Sequence, residues 1–557
     1  LEVIILSNNL STFDNPYATM AQGAYPRSPI QFPLDYLDPK QQQVINNNIS
    51  VPFDFSQSVK VGKKTYPGGR YYSANPSATD HPDWPKNGIV YLQPDPTLKT
   101  VPIRTSITTP NPNGGYTTTN PITSTTQKGL LTDEPSGFNA YFLTDTPTLN
   151  KKTQQTYLTI RGSDGSFKLT NTSNWDDWLG NNYIFAMGAR HVPQAKVATP
   201  AISAVLSKIR SSGSSAPLNL TGHSLGTFVT VQGVPGLKND EIDQIGKLVL
   251  FNGPDPTASL KKMGLSDAKI AKLSSKTTYY INPFDMVSNL NRTKPIDQQF
   301  GKIKVIVPLH YTTSFENPNA HMFGVYQIGA NGDPLIASAN FHPELLTASQ
   351  KLANLNQKAI AKLRALGVSD DLIASFFQGD IINRGTTGYV IWQEYITEYQ
   401  DIIAETRAAS IKWNMENIPK HVARISAASG VEKIRLRSEL INMAAQLAVL
   451  EVEDQVTQVN KLVTDAKEEL GTMVRNVYSQ VCSIVHYLPR WEVEGLLADF
   501  QVNTLWDEGI EATTRQNAQK FSNNVTELSS GLIQATSQLE AVDQEGAKLF
   551  ESIVGGF

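Results

Sequence analysis

Cysteine is all but absent: Cys482 is the only one in 557 residues. An intrachain disulfide and a cysteine-based metal site are therefore excluded. Charge of one sign is also lacking. The net charge is −3 and the pI about 6.3, which gives no electrostatic case for nucleic acid, and no polybasic segment suits an anionic membrane surface. No apolar run reaches the ~20 residues that a bilayer span needs. Leu1 to Leu10 carries no basic n-region and no clear cleavage site, so a signal peptide is not expected there. Proline is scarce in one region only. Of 32 prolines, 29 precede Pro343, and only Pro343, Pro419 and Pro489 fall in the rest. Helix interiors exclude proline, so long helices are expected after about residue 343 and not before.

This division predicts two domains, 1–345 and 346–557, with the boundary near Phe341 to Leu345. A chain of this length is too long for a single core. In the first part strand signals (Tyr157–Ile160, Leu218–Thr221, Leu248–Phe251, Thr277–Ile281, Lys304–Val307) alternate with helical ones (Val197–Arg210, Asp240–Gly246). Such alternation predicts an α/β sheet, largely parallel in its middle. From about Pro52 to Thr126 the composition turns to Pro, Gly, Asn, Thr and Ser, which reads as loops and hairpins decorating that sheet.

The second part predicts an all-α, elongated hairpin or bundle. Leu436, Leu440, Met443, Leu447 and Leu450 step 4-3-4-3. After a slip near Glu451 to Gln455, Val456, Val459, Val463, Ala466, Leu470 and Met473 step 3-4-3-4-3. A second helix is expected from about Asn517 to Ile553, with Leu528, Leu532, Leu539 and Leu549 on one stripe. Two long helices joined through Pro489 suggest an antiparallel hairpin. Such a stripe serves equally as the inside of a plain bundle or as a surface for partner helices.

The chemistry centres on Leu218-Asn-Leu-Thr-Gly222-His223-Ser224-Leu225-Gly226. A strand-like run enters G-x-S-x-G and a helix-compatible segment follows. This is the nucleophile-elbow pattern, whose sharp turn exposes the serine hydroxyl. A serine hydroxyl needs a histidine to take its proton, an acid to orient that histidine, and donors for the oxyanion. An elbow of this kind supplies them in the order Ser, acid, His. His223 sits inside the elbow and reads as structural. Asp285 follows the strand Thr277–Ile281 at its carboxyl end, where an α/β sheet collects its site; Asp255 is the runner-up, and a helix cap is the bland alternative for Asp285. His321 is the favoured base and His310 the alternative. The last two histidines, His421 and His486, lie in the helical part.

These residues resemble the class 3 lipase family of α/β hydrolases over residues 157 to 326. Tyr157-Leu-Thr-Ile-Arg161-Gly162-Ser163 is similar to its strand ending in F-R-G-[ST]. Trp175-Asp-Asp-Trp178 is similar to the D-W that follows. Thr221 to Gly226 matches T-G-H-S-L-G, and Tyr280 to Ser288 resembles its acid segment. The resemblance implies a serine carboxylic-ester hydrolase of phospholipase A1 or glyceride lipase type, with Ser163 and Leu225 as oxyanion donors and no cofactor or metal. Ala320-His321-Met-Phe-Gly-Val-Tyr326 is similar to the late histidine segment with one extra residue. Thr227 stands where the family has a second glycine. A lid is implied, from the segment before Gly137 or from Asn181 to Gln194, where Tyr183, Ile184, Phe185 and Met187 serve either as core, the commoner role of such a cluster, or as an apolar surface that meets lipid.

A lipase followed by a proline-poor helical hairpin resembles the lipase toxins of the Gram-positive type VII secretion system, in the reversed domain order. That resemblance implies an LXG-like targeting domain at 346–557 that binds small helical WXG-like proteins. It also implies an immunity protein on the lipase domain, a lipid substrate at a membrane surface, and secretion without a signal peptide. The alternative is a cytoplasmic or secreted carboxylesterase or triacylglycerol lipase whose helical domain is only structural or serves oligomerisation.

Overall fold

The computed structural model describes residues 15–25, 32, 51–54, 59–61, 64–66, 82–85, 88–112, 114–133, 136–162, 192–313, 320–327, 333–369, 373, 386–485 and 487–554. Two compact units are present, Leu1–Thr406 with Glu540–Phe557, and Arg407–Leu539.

The first unit is built on a mixed sheet. Its strands are β1 (Val51–Asp54), β4 (Ile89–Leu92), β9 (Thr132–Asp133), β10 (Phe138–Thr144), β11 (Thr156–Ile160), β12 (Leu218–His223), β13 (Ile245–Phe251), β14 (Thr277–Ile281) and β15 (Lys302–Val305). The order is β1-β4-β10-β11-β12-β13-β14-β15, with β9 beside β10. From β11 to β15 every neighbouring pair is parallel; β1, β4 and β10 pair antiparallel. The burial explains the sequence. Every residue of β10, β11 and β12 is buried, which requires near-continuous runs of apolar and β-branched residues rather than alternation.

Two helices cover the middle of the sheet. Pro193–Ser211 buries Ala195, Ala198, Ile202, Val205, Leu206 and Ile209, a stripe at helical spacing. Pro16–Gly23, which the sequence did not announce, is buried throughout and packs on β11, β12 and β13. Asn15 caps it through Tyr17 and Ala18 N–H. Thr221 Oγ1 of β12 reaches Tyr17 O at 3.3 Å, and Tyr17 OH donates to Asp83 Oδ2 at 2.6 Å.

The remaining strands form ribbons: β2 (Val59–Val61) with β3 (Lys64–Tyr66), β5 (Lys99–Arg104) with β8 (Ile122–Lys128), and β6 (Ile107–Pro110) with β7 (Tyr116–Thr119). Solvent lies on both faces of β6 and β7. Threonine suits such a strand, and the Thr108 and Thr118 hydroxyls pair across it at 3.0 Å.

The first unit extends into the helical region. Helix Pro343–Ala365 buries Leu345, Leu352, Leu355 and Leu363 and bonds to the loop after β14. Ser349 Oγ donates to Asn289 Oδ1 (2.8 Å) and Asn356 Nδ2 to Met286 O (3.3 Å). The start of helix Thr386–Ala427 follows suit, with Tyr399 OH donating to Phe284 O at 3.1 Å. Proline loss thus marks where long helices begin, and the compact sheet unit continues past that point.

The second unit is helical: the end of Thr386–Ala427, then Gly430–Ile484, Arg490–Leu496, Val502–Leu505 and helix Glu508–Val554 as far as Leu539. Thr386–Ala427 and Gly430–Ile484 run antiparallel along a polar ladder. Arg407 meets Glu453 (3.6 Å), Asn414 meets Gln446 (3.1 Å) and His421 meets Glu439 (2.9 Å). The rungs are one heptad apart on each helix. The heptad stripe changes character along its length: Leu436, Met443 and Leu450 are buried, whereas Met473 is exposed. Glu508–Val554 begins earlier than its sequence stripe suggested and runs antiparallel to Gly430–Ile484. Lys467 pairs with Glu508 and Glu511, and Arg515 Nη1 donates to Asn460 O at 3.2 Å. Among its described side chains the buried positions are Ser522, Ser529 and Thr536, while Leu528 and Leu532 face solvent; Leu539 and Leu549 lie outside the described side chains. Among the described residues no helix is long and apolar enough to cross a membrane.

Candidate active site

β12 delivers the chain to Ser224, whose backbone has φ 57° and ψ −129°, and helix Leu225–Gly233 starts at the next residue. A non-glycine residue rarely adopts such a conformation, and it survives here because its surroundings fix it. The Ser224 N–H donates to Phe251 O at 3.0 Å. The neighbouring backbones close in tightly. A Cβ on Gly226 would stand 2.4 Å from Ile160 O, and one on Gly222 would stand 2.8 Å from Gly226 O. Only glycine fits at either place. Ser224 Oγ is buried and has no hydrogen-bond partner among the described residues.

Thr227 is buried and donates to Ser224 O at 2.7 Å. Its space comes from Gly253, where a Cβ would lie 1.9 Å from Thr227 Oγ1.

Asp285 sits at the carboxyl end of β14 and is wholly buried. Its carboxylate makes a capping set of hydrogen bonds and a histidine contact at once. It accepts from Val287 N–H (3.2 Å) and Ser288 N–H (2.9 Å) as a cap, and from Ser288 Oγ. It also pairs with His321 Nδ1 at 2.9 Å through Oδ2. Burial alone would raise this carboxyl. The His321 imidazole and the hydrogen bonds from His321 and Ser288 outweigh burial and hold it below the usual carboxylate range. The runner-up, Asp255, accepts from Thr257 N–H (2.8 Å) and Phe300 N–H (3.2 Å) and lies 4.0 Å from the buried Arg292 guanidinium.

His321 is the histidine that the structure pairs with Asp285. Its position is set mainly through its backbone. Asn252 Nδ2 donates to His321 O at 2.6 Å, and Asn282 Nδ2 donates to Ala320 O at 2.6 Å. Asn252 directly follows β13 at φ 50°, and its Oδ1 accepts from Asn282 N–H at 3.0 Å and Tyr326 OH at 2.9 Å. The sequence reading passed over Asn252. The available signal was an asparagine before glycine at a strand end, a residue that tolerates left-handed backbone. His310 is half-buried. It and His321 lie on one excursion of the chain, closed by the Pro308–Tyr326 bridge.

His223 is fully buried within the elbow. Its Nε2 lies 2.8 Å from His321 O, and its ring centroid 4.9 Å from that of His321. Tyr25 OH stands 3.1 Å from His223 Nδ1. Burial first, and then the neighbouring His321, push the His223 imidazole down to about 3.

Leu225 opens the elbow helix, where the first main-chain N–H groups lack intrahelical acceptors and suit an anion. Ser163, Trp175 to Trp178, residues 181–191 of the apolar lid candidate, and His486 lie outside the described residues. The arrangement as described sets a serine on a strained turn and an acid–imidazole pair along one edge of a parallel sheet. No family model, curated protein or solved structure matches this chain.

Proposed function

We propose that the chain is a serine carboxylic-ester hydrolase acting on lipid acyl esters. The observation that carries the reading is the buried His321–Asp285 bond, with the His321 carbonyl 2.8 Å from Nε2 of His223, the residue before Ser224. Asp285 fixes the imidazole with its proton on Nδ1. Ser224 Oγ attacks the ester carbonyl as its proton passes to His321 Nε2. The oxyanion is met by main-chain N–H at Leu225 and at Ser163. His321 returns the proton to the leaving alcohol. Water, deprotonated by the same imidazole, then releases the fatty acid and frees Ser224. The test is covalent labelling with an alkyl fluorophosphonate, followed by fatty-acid release from defined phospholipid and triglyceride. Label mapped to Ser224, and hydrolysis that disappears in Ser224→Ala, are expected. Labelling elsewhere, or hydrolysis indifferent to Ser224→Ala, contradicts the reading.

The helical unit supports a second element of the proposal, that of a secreted, type VII-like toxin whose helical part docks small helical partner proteins. Ile510, Phe521, Leu528 and Leu532 are all exposed on helix Glu508–Val554, and a solvent-facing apolar stripe suits a partner helix. Co-purification of the full chain with small helical proteins from the same operon, lost in Leu528→Asp/Leu532→Asp, is the expected result. Equal retention by that double variant contradicts it.

A further inference from the structure

Tyr25 follows the buried N-terminal helix Pro16–Gly23, yet its hydroxyl lies against the elbow, 198 residues away in sequence. Three contacts converge on that oxygen. Gly162 N–H donates to it at 3.1 Å. It stands 3.1 Å from His223 Nδ1, and the His223 carbonyl is a weaker second acceptor at 3.3 Å. The ring packs edge-on against His223 at 5.6 Å. On its other side, His223 Nε2 faces His321 O at 2.8 Å. A carbonyl only accepts, so Nε2 carries the His223 proton and Nδ1, in the neutral ring, accepts from Tyr25. The displacement of the His223 pKa to about 3 agrees with a ring that stays neutral.

The directions of these bonds join into one chain: Gly162 N–H to Tyr25 O, Tyr25 O–H to His223 Nδ1, His223 Nε2–H to His321 O. We infer that Tyr25 and His223 are positioning residues that fix the backbone after β11, the elbow and the carbonyl of His321 relative to one another. The inference rests on the hydrolase reading above. Neither residue touches the reacting atoms. Gly162 leaves room for the arrangement because a Cβ there would stand 2.3 Å from Tyr25 OH and 2.6 Å from His223 O. The N-terminal helix thereby acquires a task beyond covering the sheet, since it sets where Tyr25 begins.

The experiment measures kcat and KM on a soluble short-chain ester, with enzyme concentration taken from fluorophosphonate titration of Ser224. Counting only titrated sites removes losses due to unfolded protein. Tyr25→Phe keeps the ring and loses the hydroxyl. Its kcat per titrated site should fall on the order of tenfold to a hundredfold, with KM changed by less than about threefold, as for an arrangement that matters mainly in the transition state. His223→Leu should fall as far. His223→Gln, which has both a donor and an acceptor, should recover most of that turnover. Tyr25→Phe/His223→Leu should be no worse than the weaker single variant, because one chain of bonds is broken once. Full kcat in Tyr25→Phe, losses that multiply in the double variant, or His223→Gln as poor as His223→Leu would each overturn the inference. Should either leucine variant fail to fold, Tyr25→Phe and His223→Gln decide it alone. A wild-type chain without ester hydrolysis fails the hydrolase reading instead, an outcome distinct from an active enzyme indifferent to Tyr25→Phe.

Discussion

The side-chain amide of Asn252 donates to the main-chain carbonyl of His321 at 2.6 Å, so the imidazole's position is set from the end of β13 through backbone. The same asparagine accepts from Asn282 N–H and Tyr326 OH, and Asn282 opens the segment that carries Asp285. Asn252 therefore ties the segment that carries Asp285 to the segment that carries His321. Asn252→Ala takes the acceptor from Asn282 N–H and Tyr326 OH and one donor from His321 O, and a buried polar group that loses its partner costs about 1–3 kcal/mol. Urea unfolding should show a loss on the order of 2 kcal/mol or more, and kcat should fall with it. Unchanged stability and turnover would remove Asn252 from this role.

Thr227 and Gly253 are fitted to each other. A Cβ on Gly253 would lie 1.9 Å from Thr227 Oγ1 and 2.6 Å from its Cβ, so Gly253→Ala forces a shift in a closed interior, typically costing about 1–3 kcal/mol. Thr227→Gly should restore most of that loss in the double variant. Thermal unfolding of the four proteins gives the coupling, and additive losses would show that the two positions are independent.

His223 makes stability depend on pH in a defined direction. Unfolded, an imidazole binds its proton near pH 6.5; in the folded chain it does so only near 3, because burial and His321 oppose the charge. Between those values the unfolded state binds more protons. Stability is thus complete above about pH 6.5 and declines as pH falls toward about 3. Asp285, also held low, adds to the decline at more acidic pH. His223→Gln should lose less stability than wild type between pH 7 and pH 4 in urea titrations. Parallel declines would show that His223 does not titrate as described.

In the helical unit the rungs Arg407–Glu453, Asn414–Gln446 and His421–Glu439 fix one register. Slipping by one heptad would set Arg407 against Gln446 and Asn414 against Glu439, losing the charged match at Arg407. Asn414→Leu strips buried Gln446 of that donor and should cost about 1–3 kcal/mol, whereas Asn414→Leu/Gln446→Leu should regain most of it. Hydrogen exchange across Arg407–Ala427 reads both. Equal protection in the single and double variants would contradict the pairing.

The elbow was legible in the sequence because it is local: strand, Gly222, Ser224, Gly226 and helix occupy one short stretch. The parallel run of strands was legible from buried apolar segments between helical ones. Asp285 and His321 could be named from their order after Ser224, although Asp285 turns out to cap a turn and pair with the histidine at once. Tyr25 and Asn252 were not legible, because their meaning lies in contacts with residues 198 and 69 positions away. Periodicity found Leu528 and Leu532 on one stripe but could not say that Ser522 and Ser529 would be the buried positions. Spacing identifies a face, whereas what covers that face depends on the neighbouring helix.

The central claim is that Ser224, His321 and Asp285 act together. The direct test is fatty-acid release by wild type, Ser224→Ala, His321→Ala, Asp285→Asn and His310→Ala, side by side. The expected result is a kcat reduced by about 10⁴ or more for the first two variants and by about 10⁴ for Asp285→Asn, with His310→Ala close to wild type. Activity retained in His321→Ala and lost in His310→Ala would contradict it.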